Sequence, residues 1–135
     1  MTPALKKPRM VHGATIVLRD IEEGDAQFVV DLRTDPLKSR YISATSSDVQ
    51  AQIDWIRSYQ SKTDQAYFIA CDRDGGRLGC VRLYDPIGSS FSWGSWLMLS
   101  GLSPFIAMES ALLVYAYARH LGFDEARLEI GRAHV

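Results

Sequence analysis

The stretch that most limits what this chain can fold into runs from Phe91 to Phe123, FSWGSWLMLSGLSPFIAMESALLVYAYARHLGF. It begins as a strand. Phe91, Trp93 and Ser95 alternate with Ser92, Gly94 and Trp96, and the apolar run Trp96-Leu97-Met98-Leu99 follows. Ser100-Gly101-Leu102-Ser103-Pro104 reads as a turn, and Phe105 to Leu121 carries a helical pattern. Ser103 suits the N-cap, Pro104 the first helical position, where its missing N–H costs nothing, and Gly122 the C-terminal cap. A buried strand, a short loop and a helix N-terminus therefore follow one another. The amides of Phe105, Ile106 and Ala107 would point out of that N-terminus. Such an end attracts anions, phosphates above all, through unpaired N–H groups and the positive end of the helix dipole.

The rest of the chain supplies partners for this unit. Met1 to His12, with two prolines and Lys6, Lys7 and Arg9, reads as a flexible arm. Ala14 to Ile21 is a strand, with Ile16 and Leu18 on one face and Val17 and Arg19 on the other. Glu22-Glu23-Gly24-Asp25 opens a helix with the apolar stripe Phe28, Val29 and Leu32, which ends near Asp35-Pro36. After a loop centred on Arg40-Tyr41-Ile42, Ser47 and Gln50 have capping-box spacing. The helix they start places Val49, Ile53 and Ile56 on one stripe, with Trp55 and Tyr59 beside it. Ala66 to Asp72 and Arg77 to Asp85 form a hairpin across Asp74-Gly75-Gly76, and Pro86 to Ser89 turns the chain into the Phe91–Leu99 strand. Arg127 to Ile130 reads as a last strand.

Composition narrows the function class. At 135 residues the chain is one domain's worth, and a formal net charge of −1 gives no overall field towards nucleic acid. Cys71 and Cys80 fall inside predicted strands and read as buried free thiols. No run approaches the roughly 18 apolar residues that span a bilayer, and no signal peptide precedes the arm, so a cytoplasmic location is expected. No metal-ligand spacing and no nucleophile triad is present in the sequence.

Trp-Gly-Ser-Trp-Leu at 93–97, the loop after it and Ile106 to Phe123 resemble the central strand, cofactor loop and following helix of the GNAT superfamily of acyl-CoA N-acyltransferases. The similarity is strongest to the branch of ribosomal-protein and nucleotide-sugar N-acetyltransferases, and Thr15 to Arg19 resembles that branch's first strand. The resemblance implies an α/β fold, a mainly antiparallel sheet flanked by helices in the order β-α-α-β-β-β-α-β. It implies acetyl-CoA as donor, no metal, and an amine acceptor: a small molecule, an amino sugar or a polypeptide N-terminus. In the family the pyrophosphate rests on a loop of pattern Arg/Gln-x-x-Gly-x-Gly/Ala. Here those positions are Leu102, Phe105 and Ala107, of which Ala107 fits.

Acetyl transfer needs a base for the amine, donors at the thioester oxygen and an acid for the leaving thiolate. The backbone of Leu97, Met98 and Leu99 would pair with the pantetheine amides, and a bulge near Gly94-Ser95 would open the strand there. The amides of Phe105, Ile106 and Ala107 would take the phosphates. Glu109 and Asp85 are the candidate catalytic carboxylates, with Asp20 behind them. Glu109 could equally be a helix-stabilising or strand-bridging charge, and Asp85 a turn residue before Pro86. Tyr41 and Trp93 could line an acceptor pocket. A non-catalytic module of the same fold, binding CoA, a nucleotide or a protein, is the alternative.

The family continues past its fifth strand into a region that carries an Asn contact to the cofactor and a Tyr acid. Ile130-Gly-Arg-Ala-His-Val135 is what ATC GGA AGA GCA CAC GTC encodes, a run found in a common sequencing adapter. The expectation is therefore a domain over residues 13–129, truncated at its C-terminal side, with a non-native tail over 130–135.

Overall fold

The computed structural model describes residues 2–8, 10–35 and 48–128. The elements are β1 (Met10–His12), β2 (Ile16–Asp20), a 3-10 turn (Glu23–Asp25), α1 (Ala26–Thr34), α2 (Val49–Gln60), β3 (Ala66–Asp72), β4 (Arg77–Ile87), β5 (Ser90–Met98), α3 (Pro104–Leu121) and β6 (Glu125–Leu128). The strands form one sheet in chain order, antiparallel from β1 to β5, with β6 parallel to β5. Among the described residues no helix is long and apolar enough to cross a membrane.

Strand alternation assigns each face of the sheet a core. Leu18, Phe68, Val81, Leu83, Phe91 and Trp93 lie under α3, against Val114, Tyr117 and Ala118. Tyr67, Ile69, Cys71, Cys80 and Leu97 face α1 and α2, against Val29, Leu32, Ile56 and Tyr59. The β3–β4 hairpin turns where expected. Gly75 takes a φ of 92°, and the Asp72 carboxylate accepts the amides of Asp74 at 2.9 Å and Gly76 at 2.8 Å. The α3 caps are also as read: Ser103 Oγ accepts the Phe105 amide at 3.2 Å, and Gly122 closes the helix with a φ of 110°.

Four boundaries differ. The segment expected to be a flexible arm is tied down: Leu5 is buried in the core under α3, the Lys6 carbonyl accepts the Tyr117 hydroxyl at 2.6 Å, and Met10–His12 pairs with β2. One apolar side chain and three strand residues in a basic, proline-bearing segment left too weak a pattern to read. The α2 N-cap is Asp48, whose carboxylate accepts the Gln50 amide at 2.9 Å; Ser47 and the 40–42 loop lie outside the described residues. Pro86 stays within β4 and the chain turns at Gly88, whose φ is 59°. The last strand starts at Glu125, two residues earlier than its apolar pattern. Residues 129–135, the supposed tail among them, lie outside the described set.

One buried carboxylate ties β2, the 3-10 turn and β4 together. Asp25 is 1% exposed. It accepts Arg19 through both oxygens at 2.7 and 2.8 Å, Arg77 Nε at 2.7 Å and the Glu22 amide at 2.8 Å. Burial pushes its pKa up, but the two guanidiniums and the amide outweigh it and hold the carboxyl below the usual range. A depressed pKa contributes stability that is complete above the unfolded carboxyl's value and fades as pH falls through the folded one. Asp25→Asn is expected to cost about 3 kcal/mol at neutral pH, the low end for breaking a buried pair, because Arg77 is partly solvated. Thermal melts between pH 7 and pH 3 check this: the gap between the native protein and the variant should narrow towards the acid end.

Candidate active site

The site is built around an irregularity in β5. Cys80 pairs with Leu97 and Arg82 with Gly94, so Val81 alone faces both Ser95 and Trp96. Ser95 is the extra residue, with a φ of 49°, a left-handed conformation that serine seldom adopts. The expected bulge at Gly94-Ser95 is therefore present. It also overturns the simple alternation. After the extra residue the side-chain faces reset, so Trp96 lies on the same side as Trp93, with ring centroids 5.3 Å apart.

The bulge divides the strand. Ser90 to Trp93 pair with β6, and among the described residues no register partner follows Trp93 on that edge. On the other edge, the Leu99 amide donates to the Leu78 carbonyl at 2.8 Å. Backbone groups alternate between edges along an antiparallel strand. Leu97 and Leu99 therefore turn their N–H and C=O towards β4, and Met98 turns its own to the open side. Of the three residues expected to pair with pantetheine, Met98 alone turns its backbone to the edge that no described strand borders.

Past Met98 the chain reaches α3. Two of the three amides expected to be free at this helix end have partners: the Phe105 amide is held by Ser103 Oγ and the Ile106 amide donates to the Ser103 carbonyl at 3.0 Å. The Phe105 side chain is 77% exposed and does not plug the helix end. Residues 99–103 alone separate the Met98 edge from the α3 N-terminus.

On the α1/α2 face, beside the bulge, lies a cavity of about 190 Å³, lined among others by Arg33, Asp48, Gln52, Trp55, Tyr67 and Arg82. Arg33 donates to Ser95 Oγ at 3.1 Å, which joins this cavity to the bulge. The Tyr67 hydroxyl contacts Cys80 Sγ at 3.8 Å, and Cys80 Sγ lies 3.3 Å from the Ser95 carbonyl. Burial raises the Tyr67 pKa well above that of a free phenol and pushes the Cys80 thiol up to about 11. Sequence reading had passed over Arg33 and Arg82. The signal was a single charge, Arg82, inside the apolar run Cys80 to Tyr84.

The residues named from sequence are dispersed. Trp93 is not on the cavity's face; it is buried under α3, where Tyr115 meets it edge-on at 5.4 Å. Tyr41 lies outside the described residues. Asp85 is exposed near the end of β4, with a φ of 48°, and its carbonyl accepts a hydrogen bond from Arg127. Asp20 accepts the Tyr59 hydroxyl at 2.7 Å, and burial raises its pKa against that bond. Glu109 bridges α3 to the start of β2. It accepts Thr15 Oγ1 at 2.5 Å and the amides of Thr15 at 2.9 Å and Ile16 at 3.2 Å. Burial pulls its pKa up, and these bonds more than offset that and hold it below the usual range. Gly13 makes the bridge possible, since a Cβ there would overlap Glu109 Oε2. The carboxylate is thus engaged by Thr15 and Ile16, while the next residue of α3, Ser110, accepts Trp96 Nε1 at 2.9 Å. Among the described residues no group of three His, Cys, Asp or Glu side chains could hold a metal.

The acetyltransferase (GNAT) domain family matches residues 15–134. The chain belongs to the GNAT superfamily. Its fold matches FdhC, a nucleotide-linked sugar GNAT, at 35% identity and a TM-score of 0.72, covering 91% of this chain and 71% of that one. It also matches a probable GNAT-family acetyltransferase from Chromobacterium violaceum at 18% identity, with a TM-score of 0.77 and coverage of 93% and 68%. For spermidine N-acetyltransferase from Vibrio cholerae, in complex with CoA and spermine, the identity is 15%, the TM-score 0.69 and the coverage 78% and 64%. These last two likenesses concern the fold alone. No curated protein matches. Membership supports acyl transfer from acyl-CoA to amines as the general chemistry.

Glu109→Gln and Gly13→Ala should each lower the melting temperature, by several degrees for about 1–2 kcal/mol lost from a hydrogen-bonded charge. Acetyl transfer per folded molecule should stay within about threefold of the native value. A fall of 10²–10⁴-fold in Glu109→Gln with an unchanged melt, the size expected of a general acid–base residue, would place Glu109 in the chemistry instead.

Proposed function

We propose that this GNAT domain transfers acetyl from acetyl-CoA directly to a primary amine, most simply that of an amino sugar or another small molecule. The observation that carries this reading is the β5 bulge at Ser95, with the Met98 edge, unpaired among the described residues, behind it and the α3 N-terminus beyond. Pantetheine amides would pair with Met98, and the Ala107 amide with the dipole of α3 would receive the phosphates, the Phe105 and Ile106 amides being held by Ser103. The thioester would then lie at the bulge, next to the cavity bordered by Arg33 and Arg82. The amine nitrogen attacks the carbonyl carbon, the C–S bond breaks, the amine gives up a proton and the thiolate leaves to gain one. A polypeptide N-terminus is the other acceptor class that the family resemblance allows. The 35% identity to a nucleotide-linked sugar GNAT supports the sugar.

A second reading is a ligand-binding module without catalysis. It is favoured by Phe105 where the family loop has glycine, and by the use of Glu109 as a bridge. Titration calorimetry with acetyl-CoA, followed by thiol release over a panel of amines, separates the two. The proposed enzyme releases CoA with an amine; the module binds and releases none.

The helix end can be tested separately. A carboxylate at a helix N-terminus interacts with the dipole by about 0.5–2 kcal/mol, and beside a bound phosphate it repels. Ala107→Asp should therefore weaken acetyl-CoA binding by about threefold to thirtyfold, while Phe105→Gly keeps or improves it. Unchanged affinity in Ala107→Asp removes this helix end as the phosphate site.

A further inference from the structure

One of the cations that line the cavity beside the bulge pairs with no carboxylate among the described residues. Arg82 rises from β4 opposite Gly94, the residue just before the bulge. Its guanidinium carbon lies 4.1 Å from the ring centroid of Tyr84 and 5.8 Å from that of Trp55. Its Nε is buried and has no hydrogen-bond partner among the described residues. Burying a cation with an unused donor is costly unless an anion meets it. Arg33 adds a second positive charge to the same wall. Asp48 is the one carboxylate among the described lining residues, and one of its oxygens already caps α2. Trp55 presents a flat aromatic wall beside the guanidinium.

We infer that Arg82 and Trp55 select an acceptor that bears a phosphate next to a planar ring or sugar, as a nucleotide-linked amino sugar does, and reject polycationic amines. This rests on the reading that the cavity receives the acceptor. A guanidinium offers paired donors to a phosphate, and stacking between rings fixes its plane, which lysine cannot reproduce. A polyamine would bring like charge against Arg33 and Arg82 and leave the Arg82 Nε without an acceptor. The cavity takes the phosphate and the group beside it, and the amine reaches the bulge past Ser95.

The test uses binding without acetyl-CoA, so that it stands apart from turnover. Uridine and thymidine diphosphates, inorganic phosphate and spermidine are titrated into the native chain, with tryptophan fluorescence and calorimetry as readouts. The diphosphates are expected to bind, more weakly as salt rises, phosphate less tightly still, and spermidine not at all. Arg82→Gln should weaken diphosphate binding at least tenfold and Arg82→Lys should restore only part of it. Ala107→Asp should leave it unchanged, which separates this cavity from the α3 N-terminus. If Arg82→Gln melts early, Gln52→Glu gives the same reading by placing a carboxylate beside the guanidinium from the partly exposed face of α2. Spermidine binding as tightly as the diphosphates overturns the inference. So does diphosphate binding that ignores both Arg82→Gln and Gln52→Glu. Arg82-dependent diphosphate binding in a chain that never releases CoA would sink the acetyl-transfer reading and leave this one standing.

Discussion

One surplus residue in one strand sets the working part of this molecule. Ser95 is accommodated opposite Val81 at the cost of a left-handed backbone, and everything near the site follows from it. Trp93 and Trp96 come to share the α3 face, where Trp96 Nε1 donates to Ser110 Oγ at 2.9 Å and anchors the helix against the strand. Ser95 Oγ is presented to Arg33 on the opposite face. Among the described residues β6 pairs with Ser90 to Trp93 only, and no described strand borders the second half of β5.

The two layers of helices give that irregularity something to work against. α3 fills one face with Val114, Tyr117 and Ala118, and its caps fix where its N-terminus stands relative to Met98. α1 and α2 cover the other face and bring Arg33 and Trp55 from different elements to one cavity wall. The Asp25 cluster holds β2 and β4 at a fixed spacing on the same side, with Arg19 and Arg77 sharing a single carboxylate. Rigid elements thus deliver the cavity's side chains, which keeps their geometry from depending on a loop.

Elements with strong local signals were legible from the sequence. The α3 caps, the Gly75 turn, the β3 strand from Ala66 to Asp72 and the bulge at Gly94-Ser95 each rest on a few neighbouring residues with distinct backbone needs. The site side chains were not legible in the same way, because their roles depend on contacts distant in sequence. Glu109 meets Thr15 across 94 residues, and nothing local to α3 announces that. Gly13 carried the matching hint, a glycine placed where only a hydrogen side chain leaves room for the carboxylate. Trp93 was read by residue type as a pocket lining, although its strand position already put it on Phe91's side. Arg82 was not singled out in the sequence, because the rings that cover its guanidinium, Trp55 and Tyr84, come from α2 and β4.

The thiols bear on how the acetyl group would move. Cys80 lies directly behind the bulge, close enough that a relay through an acetyl-cysteine has to be weighed against direct transfer. A relay needs a thiolate, and the thiolate must reach the thioester carbon. Cys80 is fully buried, and its pKa is pushed up to about 11, so at neutral pH it remains a thiol. Its sulfur lies against the Ser95 carbonyl and the Tyr67 hydroxyl, and the hydrogen bond to Ser95 occupies its proton in holding the bulge. Cys71 is raised too, with burial as the main cause, and sits in β3, two strands from β5. Neither sulfur has the low pKa or the open approach of a nucleophile. The simplest chemistry compatible with these environments is attack by the acceptor amine itself, with Cys80 serving as a neutral, polarisable filler behind the strand that would hold the thioester.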